Sequence, residues 1–453
     1  MQYKLSKYNY MTSNKNNEIL LYNTYTGVNS FLKIAGNPQS DIHMALSGEK
    51  NVNTLSDTIK ETLKEKGFIV PIDEDEFLKL KLLRFSRISS SDLHLIILPT
   101  EQCNFRCRYC YESFRQGIMP IEVQDHIIEY VSKNISRFKS LSISWFGGEP
   151  LLGMSVIENL SEKLLDICKR NRKPYTANIT TNGYLLDYDT LQKLKKYHVS
   201  SYQITIDGLS NTHDYQKPLA NGGKTFSTII KNLEEIRDRE KSRLLSLVIR
   251  TNISKDILAD INEYIDFFSS KFKDDNRFSF FLRPIMDLGG ERVESFQENM
   301  IKEDSLEIAF SAILKFPPHT LSFAYYNFLN PTSGICYASY LNSFVITPLG
   351  KILKCTCNLE DPLNEIGMLQ AGGNMELHEP KYAMWLHESG CGNSDCFFAP
   401  NCLMESCPAT RVIHHTQTAS CPHEKTYLSS VLRILDAQNG LFPRLEDIQN
   451  VAQ

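Results

Sequence analysis

Between residues 93 and 285 the chain alternates between short apolar runs and longer segments whose apolar residues recur at helical spacing, and that rhythm restricts the fold more than any other feature. The apolar runs are LHLIILP (93–99), LSISWF (141–146), TANIT (176–180), SYQITI (201–206), LSLVIRTNI (245–253) and FSFFLRPI (278–285). Between them lie IEVQDHIIEYVSKNI, SVIENLSEKLLDICKR, YDTLQKLKKYH, FSTIIKNLEEIRDRE and LADINEYIDFFSSKF. Strands joined by helices pair in parallel through right-handed crossovers, which gives an α/β barrel or an open sheet. Six such units suit a partial (β/α)6 barrel better than a closed eight-stranded one. In such folds chemistry gathers at the C-terminal ends of the strands.

At 453 residues the chain is too long for one ordinary core, and the flanks of the alternating region suggest two further domains. Residues 1–92 contain a turn-rich apolar stretch (ILLYNTYTGVNSFL), a helix that Gly67 would terminate, a short strand FIVP, and an acidic-then-basic segment that reads as a helix or linker. Residues 93–315 hold the barrel. Residues 316–453 are rich in Cys, Pro, Asn and Gly, carry few periodic runs before the helix EKTYLSSVLRILDAQNG, and read as a region that needs metal to hold it together.

The net charge of −4 gives no footprint for nucleic acid, and no run approaches the ~18 apolar residues of a membrane span. The polar N-terminus MQYKLSKYNYMTSNKNN lacks the apolar core of a signal peptide, so a cytoplasmic protein is expected. Of 12 cysteines, three fall within residues 103–110 and eight within 336–421; only Cys168 stands apart, on a helical pattern that reads as packed core. A disulfide framework suits small secreted chains, whereas clustered thiols in a reducing compartment read as metal ligands.

Just beyond the first strand lies Cys103-Asn-Phe-Arg-Cys107-Arg-Tyr-Cys110. Its C-x3-C-x2-C spacing wraps three thiolates around one corner of a [4Fe–4S] cube and leaves the fourth iron free for a chelating substrate. A zinc site or a Cys107/Cys110 redox pair are the alternatives, but zinc usually takes four ligands in paired C-x2-C form. The run CNFRCRYCYE resembles the signature of the radical S-adenosylmethionine (radical SAM) superfamily, and further motifs follow in that family's order. Trp145-Phe146-Gly147-Gly148-Glu149-Pro150 looks like its GGEP element, whose backbone and acid would bind the methionine ammonium. Thr180-Thr181-Asn182-Gly183 and Thr205-Ile206-Asp207-Gly208 resemble strand ends that contact the ribose and carboxylate of SAM. The resemblance thus makes Tyr109, Gly147, Gly148, Glu149, Thr181, Asn182, Thr205 and Asp207 the expected cofactor contacts. His213-Asp214 resembles the family's His-Asp pair, as catalytic groups or as a structural ion pair, and Lys217 stands where an Arg is frequent. Arg250, Asn252 and Arg283 near later strand ends would line the cavity or pair with strand-end acids.

Downstream, Cys336, Gly350, Cys355, Cys357, Cys391, Cys396, Cys402, Cys407 and Cys421 follow an order that resembles the SPASM extension of radical SAM maturases. The resemblance implies an auxiliary cluster at Cys336, Cys355 and Cys407 with Cys357 as a possible fourth ligand, and another at Cys391, Cys396, Cys402 and Cys421. Two zinc ions are the alternative. The spacing C-x4-C-x5-C-x4-C departs from the family's C-x2-C-x5-C-x3-C. Sulfatase maturases carry an Asp after the Cys of the G-x4-C element, where this chain has Thr356, which argues against formylglycine formation. The N-terminal order resembles the PqqD-like peptide-recognition domain, which would add a leader peptide beside a sheet edge. These resemblances imply a radical SAM peptide maturase with SAM and three [4Fe–4S] clusters. It would form a thioether or carbon–carbon crosslink in a ribosomally made precursor peptide and draw electrons from a donor such as flavodoxin or ferredoxin. An anaerobic sulfatase maturase-like protein oxidase and a non-catalytic iron–sulfur peptide-binding protein are the rival readings.

Overall fold

The computed structural model describes residues 1–288, 291–302, 315–317, 320, 328–332, 334–387, 391, 395–405, 407–415 and 421–445. The N-terminal unit holds β1 (Tyr3–Leu5), β2 (Asn9–Ser13), β3 (Ile19–Asn23), β4 (Leu32–Ile34) and β5 (Ile69–Pro71), with β1–β5 and β2–β3–β4 forming two small antiparallel sheets. Gly67, at φ +81°, follows the helix Asp57–Glu65 as its left-handed terminator, and the acidic-to-basic segment folds as the helix Glu76–Ile88 with Asp75 accepting from the Leu78 N–H at 2.9 Å.

The expected alternation forms β6 (Leu93–Ile97), β7 (Leu141–Trp145), β8 (Tyr175–Thr181), β9 (Val199–Thr205), β10 (Ser246–Ile253) and β11 (Phe278–Pro284), all parallel and neighbouring in chain order. The helices Ile121–Asn134, Met154–Arg170, Tyr188–Lys196 and Phe226–Arg239 fall on the predicted segments. The last predicted segment (258–272) forms the helix Ile261–Phe272, and a short helix Lys255–Ala259, capped by Ser254, precedes it, the two parted where Asp260 leaves helical geometry at φ −102°. One face of the sheet carries Leu141, Ile143, Trp145, Ile179, Ile204, Ile249 and Phe280, fully buried against helix residues such as Ile127, Leu160 and Leu233. The other face is polar and half-buried, with Ser142, Ser144, Thr180, Gln203, Thr205, Arg250 and Asn252 in the alternate positions. Cys168 is buried in the core, as its pattern suggested.

The region after 335 is more regular than its composition suggests. β12 (Ser343–Ile346), β13 (Lys351–Leu353), β14 (Glu365–Gln370) and β15 (Asn374–Leu377) continue this central sheet, giving the order β11-β10-β9-β8-β7-β6-β12-β13-β14-β15. β12 pairs in parallel with β6, and β13 to β15 return as an antiparallel meander. The strands were missed because they are three to six residues long, too short for a period to register. Thr347 to Gly350 make the connecting turn, with Gly350 at φ +79° and its N–H on the Thr347 carbonyl at 2.9 Å.

The N-terminal unit is packed onto the cysteine-rich segment. Tyr8 and Leu80 share a core with Ile335, Ala399, Leu403 and Met404. Arg84 is buried, donating to the Leu403 carbonyl at 3.0 Å and pairing with Glu405 at 3.5 Å. The β4 edge of the small sheet is partly covered by the chain itself: Lys33 N–H donates to the Pro443 carbonyl at 3.0 Å, Lys33 bridges Arg444, and Phe31 stacks on Phe442. No described helix is long and apolar enough to cross a membrane.

Candidate functional site at the strand ends

The loop after β6 is held from two sides. Gly147, at φ +116°, lies where a Cβ would fall 2.4 Å from the Thr100 carbonyl oxygen, and a Cβ on Gly148 would fall 2.4 Å from that of Glu101 and 2.5 Å from that of Gln102. Only glycine permits this approach. The Glu149 N–H then donates to the Gln102 carbonyl at 2.9 Å. On the opposite side, the N–H groups of Arg106 and Arg108 donate to the carbonyls of Pro218 and Gln216 at 2.9 Å, and Ala220 N–H donates to the Asn104 carbonyl at 2.8 Å.

So clamped, the loop brings Cys103, Cys107 and Cys110 into mutual electrostatic contact. Burial pushes all three thiols up, Cys110 to about 12, and neighbouring thiolates add to the effect at Cys103 and Cys110. Lys217, buried beside them, acts in the other direction on Cys107, and the cysteines in turn favour its charge. Three adjacent half-buried thiols beside a buried cation fit an anionic iron–sulfur cluster, whose binding would displace the thiol protons.

Glu149 is fully buried, and burial pushes its carboxyl up to about 7 despite three donors. Oε1 accepts from Leu151 N–H at 3.0 Å and Thr181 Oγ1–H at 2.8 Å, while Oε2 accepts from Asn182 N–H at 2.8 Å. The acid expected to meet a ligand ammonium therefore ties β7 to the end of β8. Asn182 reaches back to the cysteine loop, its Nδ2 donating to Asn104 Oδ1 at 2.7 Å. Asp207, also fully buried, braces in the same manner: Oδ1 accepts from Asn252 N–H at 2.8 Å, and Oδ2 accepts from Tyr109 and pairs with Lys217 at 3.8 Å. Tyr109 Oη also accepts from Asn252 Nδ2 at 3.0 Å. Thr205 stays half-buried on the polar face, in register with Arg250.

His213 and Asp214 do not pair with each other. His213 Nδ1 accepts from Asp207 N–H at 3.0 Å while its buried Nε2 has no hydrogen-bond partner, and Asp214 accepts from the Thr225 and Phe226 N–H groups at 2.8 Å, starting the next helix. Arg283 pairs with Glu424.

The C-terminal thiols divide into two groups. Cys336, Cys355, Cys357 and Cys407 influence one another, with Cys336 pushed up to about 12 by burial. Cys357 is drawn down to about 7 by the Cys355 hydrogen bond and, against its burial, by Arg250 of the central sheet. Cys402 is pushed to about 12 by burial and feels Cys396, Cys391 and Cys421, and Lys425 hydrogen-bonds Cys396. Thr356 Oγ1 lies 2.8 Å from the Tyr337 hydroxyl.

Two residues escaped sequence reading. Glu112 has a buried Oε2 without a hydrogen-bond partner, and burial pushes its carboxyl up to about 8. Arg292 has a buried Nη1 without a hydrogen-bond partner and favours the Cys110 thiolate. Glu112 follows the cysteine motif directly, but nothing in the motif assigns it a role; Arg292 belongs to a helix whose place depends on the tertiary fold.

The family model of the radical SAM superfamily matches residues 97–268, which span the cysteine loop and the strands that carry Glu149 and Asp207. Residues 97–268 are a radical SAM domain. Among curated relatives, the radical SAM cyclopropyl synthase TigE of Paramaledivibacter caminithermalis is 28% identical over 44% of this chain and 45% of its own. The serine-type anaerobic sulfatase-maturating enzyme of Klebsiella aerogenes is 24% identical over 36% and 41%. The chain thus spans under half the length of either. The solved structure of native anSMEcpe with bound AdoMet and Cp18Cys peptide superposes with a TM-score of 0.60 at 17% identity, covering 77% of this chain and 99% of that one, so the shared fold extends well beyond the radical SAM domain.

Proposed function

We propose that this chain is a radical SAM peptide maturase that crosslinks a ribosomally made precursor through a thioether or carbon–carbon bond. The observation that carries the reading is the sorting of eleven thiols into three groups, one at the strand ends of a radical SAM domain and two beside it. In this reading Cys103, Cys107 and Cys110 hold the SAM-chelating [4Fe–4S] cluster. Cys336, Cys355, Cys357 and Cys407 hold one auxiliary cluster of a SPASM-like domain, and Cys391, Cys396, Cys402 and Cys421 hold the other.

When bound, such clusters would supply the electron that cleaves SAM and take up the one left over when the new thioether or carbon–carbon bond forms. The protein's part is position. Gly147 and Gly148 let the cysteine loop sit against the β7 end, Glu149 and Asp207 brace the loops that SAM would touch, and Lys217 holds a positive charge beside the thiolates. The polar face with Thr180, Gln203, Thr205 and Arg250 would receive peptide groups.

A peptide substrate is supported by the fold shared with a peptide-bound enzyme, and Thr356 at the position of the missing Asp disfavours sulfatase maturation. We place leader recognition on the N-terminal unit. Strand addition at the β4 edge would require Pro443 and Arg444 to move aside.

The test is anaerobic reconstitution with iron and sulfide, then addition of SAM and reductant. Formation of 5′-deoxyadenosine is expected, together with loss of two hydrogens from a co-expressed short Cys-containing peptide encoded beside this chain. Iron binding without SAM cleavage would instead favour a non-catalytic binder, and conversion of a sulfatase Cys or Ser would favour the protein-oxidase reading.

A further inference from the structure

The core of the N-terminal unit is completed from outside it. Leu21, Leu32, Ile34 and Phe68 share that core with Leu445, which is fully buried and, among the described residues, the one member from beyond residue 69. Phe442 is also buried, but in the other core, where it stacks on Phe31 with ring centroids 4.3 Å apart. Side chains three apart on an extended strand lie on opposite faces. β3 alternates between the same two cores, Leu20 and Tyr22 in one and Leu21 in the other. Phe442 and Leu445 thus grip the small sheet from both sides.

Between these anchors the main chain runs as an added strand. Lys33 N–H donates to the Pro443 carbonyl at 3.0 Å, and Lys33 forms a parallel bridge with Arg444. Arg444 in turn pairs with the buried Glu18 at 2.5 Å.

Sheet edges are commonly covered to prevent association, and a chain segment can serve that end alone. The attachment here is thinner than a structural strand. β3 and β4 share three residue pairs, whereas the segment makes one isolated bridge to β4 among the described residues. It follows Gly440, which ends the helix Leu428–Asn439 in the left-handed region at φ +56°, with no described atom within 4 Å of a Cβ placed there. Leu441 is exposed, and so is the side chain of Arg444. The helix itself is fastened independently: Arg433 donates to the Ser13 carbonyl at 2.7 Å, and the Thr12 and Ser429 hydroxyls lie 2.8 Å apart. The segment can therefore leave the edge while its helix stays in place.

We propose that residues 441–445 are a tethered occupant of a peptide-binding edge and are exchanged there for a partner peptide of the same pattern. The proposal rests on the leader-recognition reading above. The pattern is an extended segment laid parallel to β4, with an aromatic residue, a large aliphatic residue three positions on, and a cation just before the latter to meet Glu18. A short tether gives the segment an effective concentration of about millimolar, so it turns away weak ligands without excluding strong ones.

The test uses the full-length, reconstituted protein and a fluorescently labelled peptide of the chain's own sequence, Asn-Gly-Leu-Phe-Pro-Arg-Leu-Glu, with binding read by anisotropy. Phe442→Ser combined with Leu445→Ser frees the edge. That variant is expected to bind the peptide about tenfold tighter than the wild type does, the margin that a millimolar competitor imposes on a ligand of roughly 0.1 mM affinity. A peptide with Ser at both anchor positions should bind neither protein. Lys33→Pro, which removes the edge N–H and is tolerated on an edge strand, should abolish capture by the double variant. Arg444→Glu sets like charges together at Glu18 and should give a smaller gain; if the double variant loses cooperative unfolding, this milder one decides by the same criteria. Equal binding to the wild type and the variants, no binding to any variant, or capture that survives Lys33→Pro would each overturn the proposal and leave the segment a permanent edge cover. Peptide capture without SAM cleavage would count against the maturase reading alone, whereas SAM cleavage and peptide mass loss without capture would count against this proposal alone.

Discussion

Replacing Gly148 by Ala probes the contact on which the site's geometry depends. The added Cβ would stand 2.4 Å from the Glu101 carbonyl oxygen, 2.5 Å from that of Gln102 and 2.7 Å from the Gln102 carbonyl carbon, whereas ordinary contact begins near 3.4 Å. All three atoms are backbone, so no side chain can swing aside, and the loop must retreat by roughly 1 Å, the difference between 3.4 and 2.4. That retreat acts on the residue next to Cys103 and strains the Glu149 N–H bond to Gln102. Overpacking of this kind costs about 1–3 kcal/mol. A shift of about 1 Å in a reacting group costs on the order of 10²-fold in rate. In anaerobically reconstituted G148A, 5′-deoxyadenosine formation should therefore fall by about that factor, with iron lost preferentially from the first site while the auxiliary iron is kept. Gly117→Ala is the control, because it lies in the same loop with nothing within 4 Å of its Cβ. If G148A keeps both wild-type iron and wild-type SAM cleavage, the glycine contact does not position the cysteine loop.

Other expectations follow from the same geometry. Glu149→Gln should lower unfolding stability by about 2 kcal/mol in chemical denaturation, because one orientation of the amide sets an NH2 against the Asn182 N–H and the other against Leu151 N–H; an unchanged midpoint would refute it. Glu240 is 5% exposed, and although burial alone would raise its carboxyl, bonds from Lys195, Ser242 N–H and Gln192 hold it down at about 2, against an ordinary 4.5. Its folded form thus favours the charged state, contributing about 3 kcal/mol that is fully present above pH 4.5 and lost as pH falls towards 2; Glu240→Gln should flatten the acid limb of the stability profile, and an unaltered limb would sink the assignment. Arg84→Met should cost about 1–3 kcal/mol by removing the donor of the Leu403 carbonyl and leaving Glu405 with Arg411 alone, at 2.9 Å. The same variant should loosen the N-terminal unit and the Cys391–Cys421 group together, read by denaturation and iron content, and loss of one without the other would separate them.

Much of the site was legible in the residues. The C-x3-C-x2-C run, the two glycines before Glu149, and Asp207 at a strand end all fall where the motif order placed them. What that order could not convey is how the acids are used: both carboxylates turn inward to backbone N–H groups, because a strand end leaves amides unpaired and a buried acid needs donors. His213 and Asp214 turn to the backbone for a related reason, His213 Nδ1 accepting from Asp207 N–H and Asp214 from Thr225 and Phe226 N–H.

The parallel strands and their helices could be read directly because period 2 and period 3.6 are properties of neighbouring residues, present in the chain before it folds. The grouping of thiols into an early set and a late set was equally local. Tertiary structure alone decided that β12 joins β6 across some 250 residues and that the first 92 residues share a core with the cysteine-rich segment. Such pairings depend on which surfaces meet once loops close, and no periodicity along a single segment records that choice.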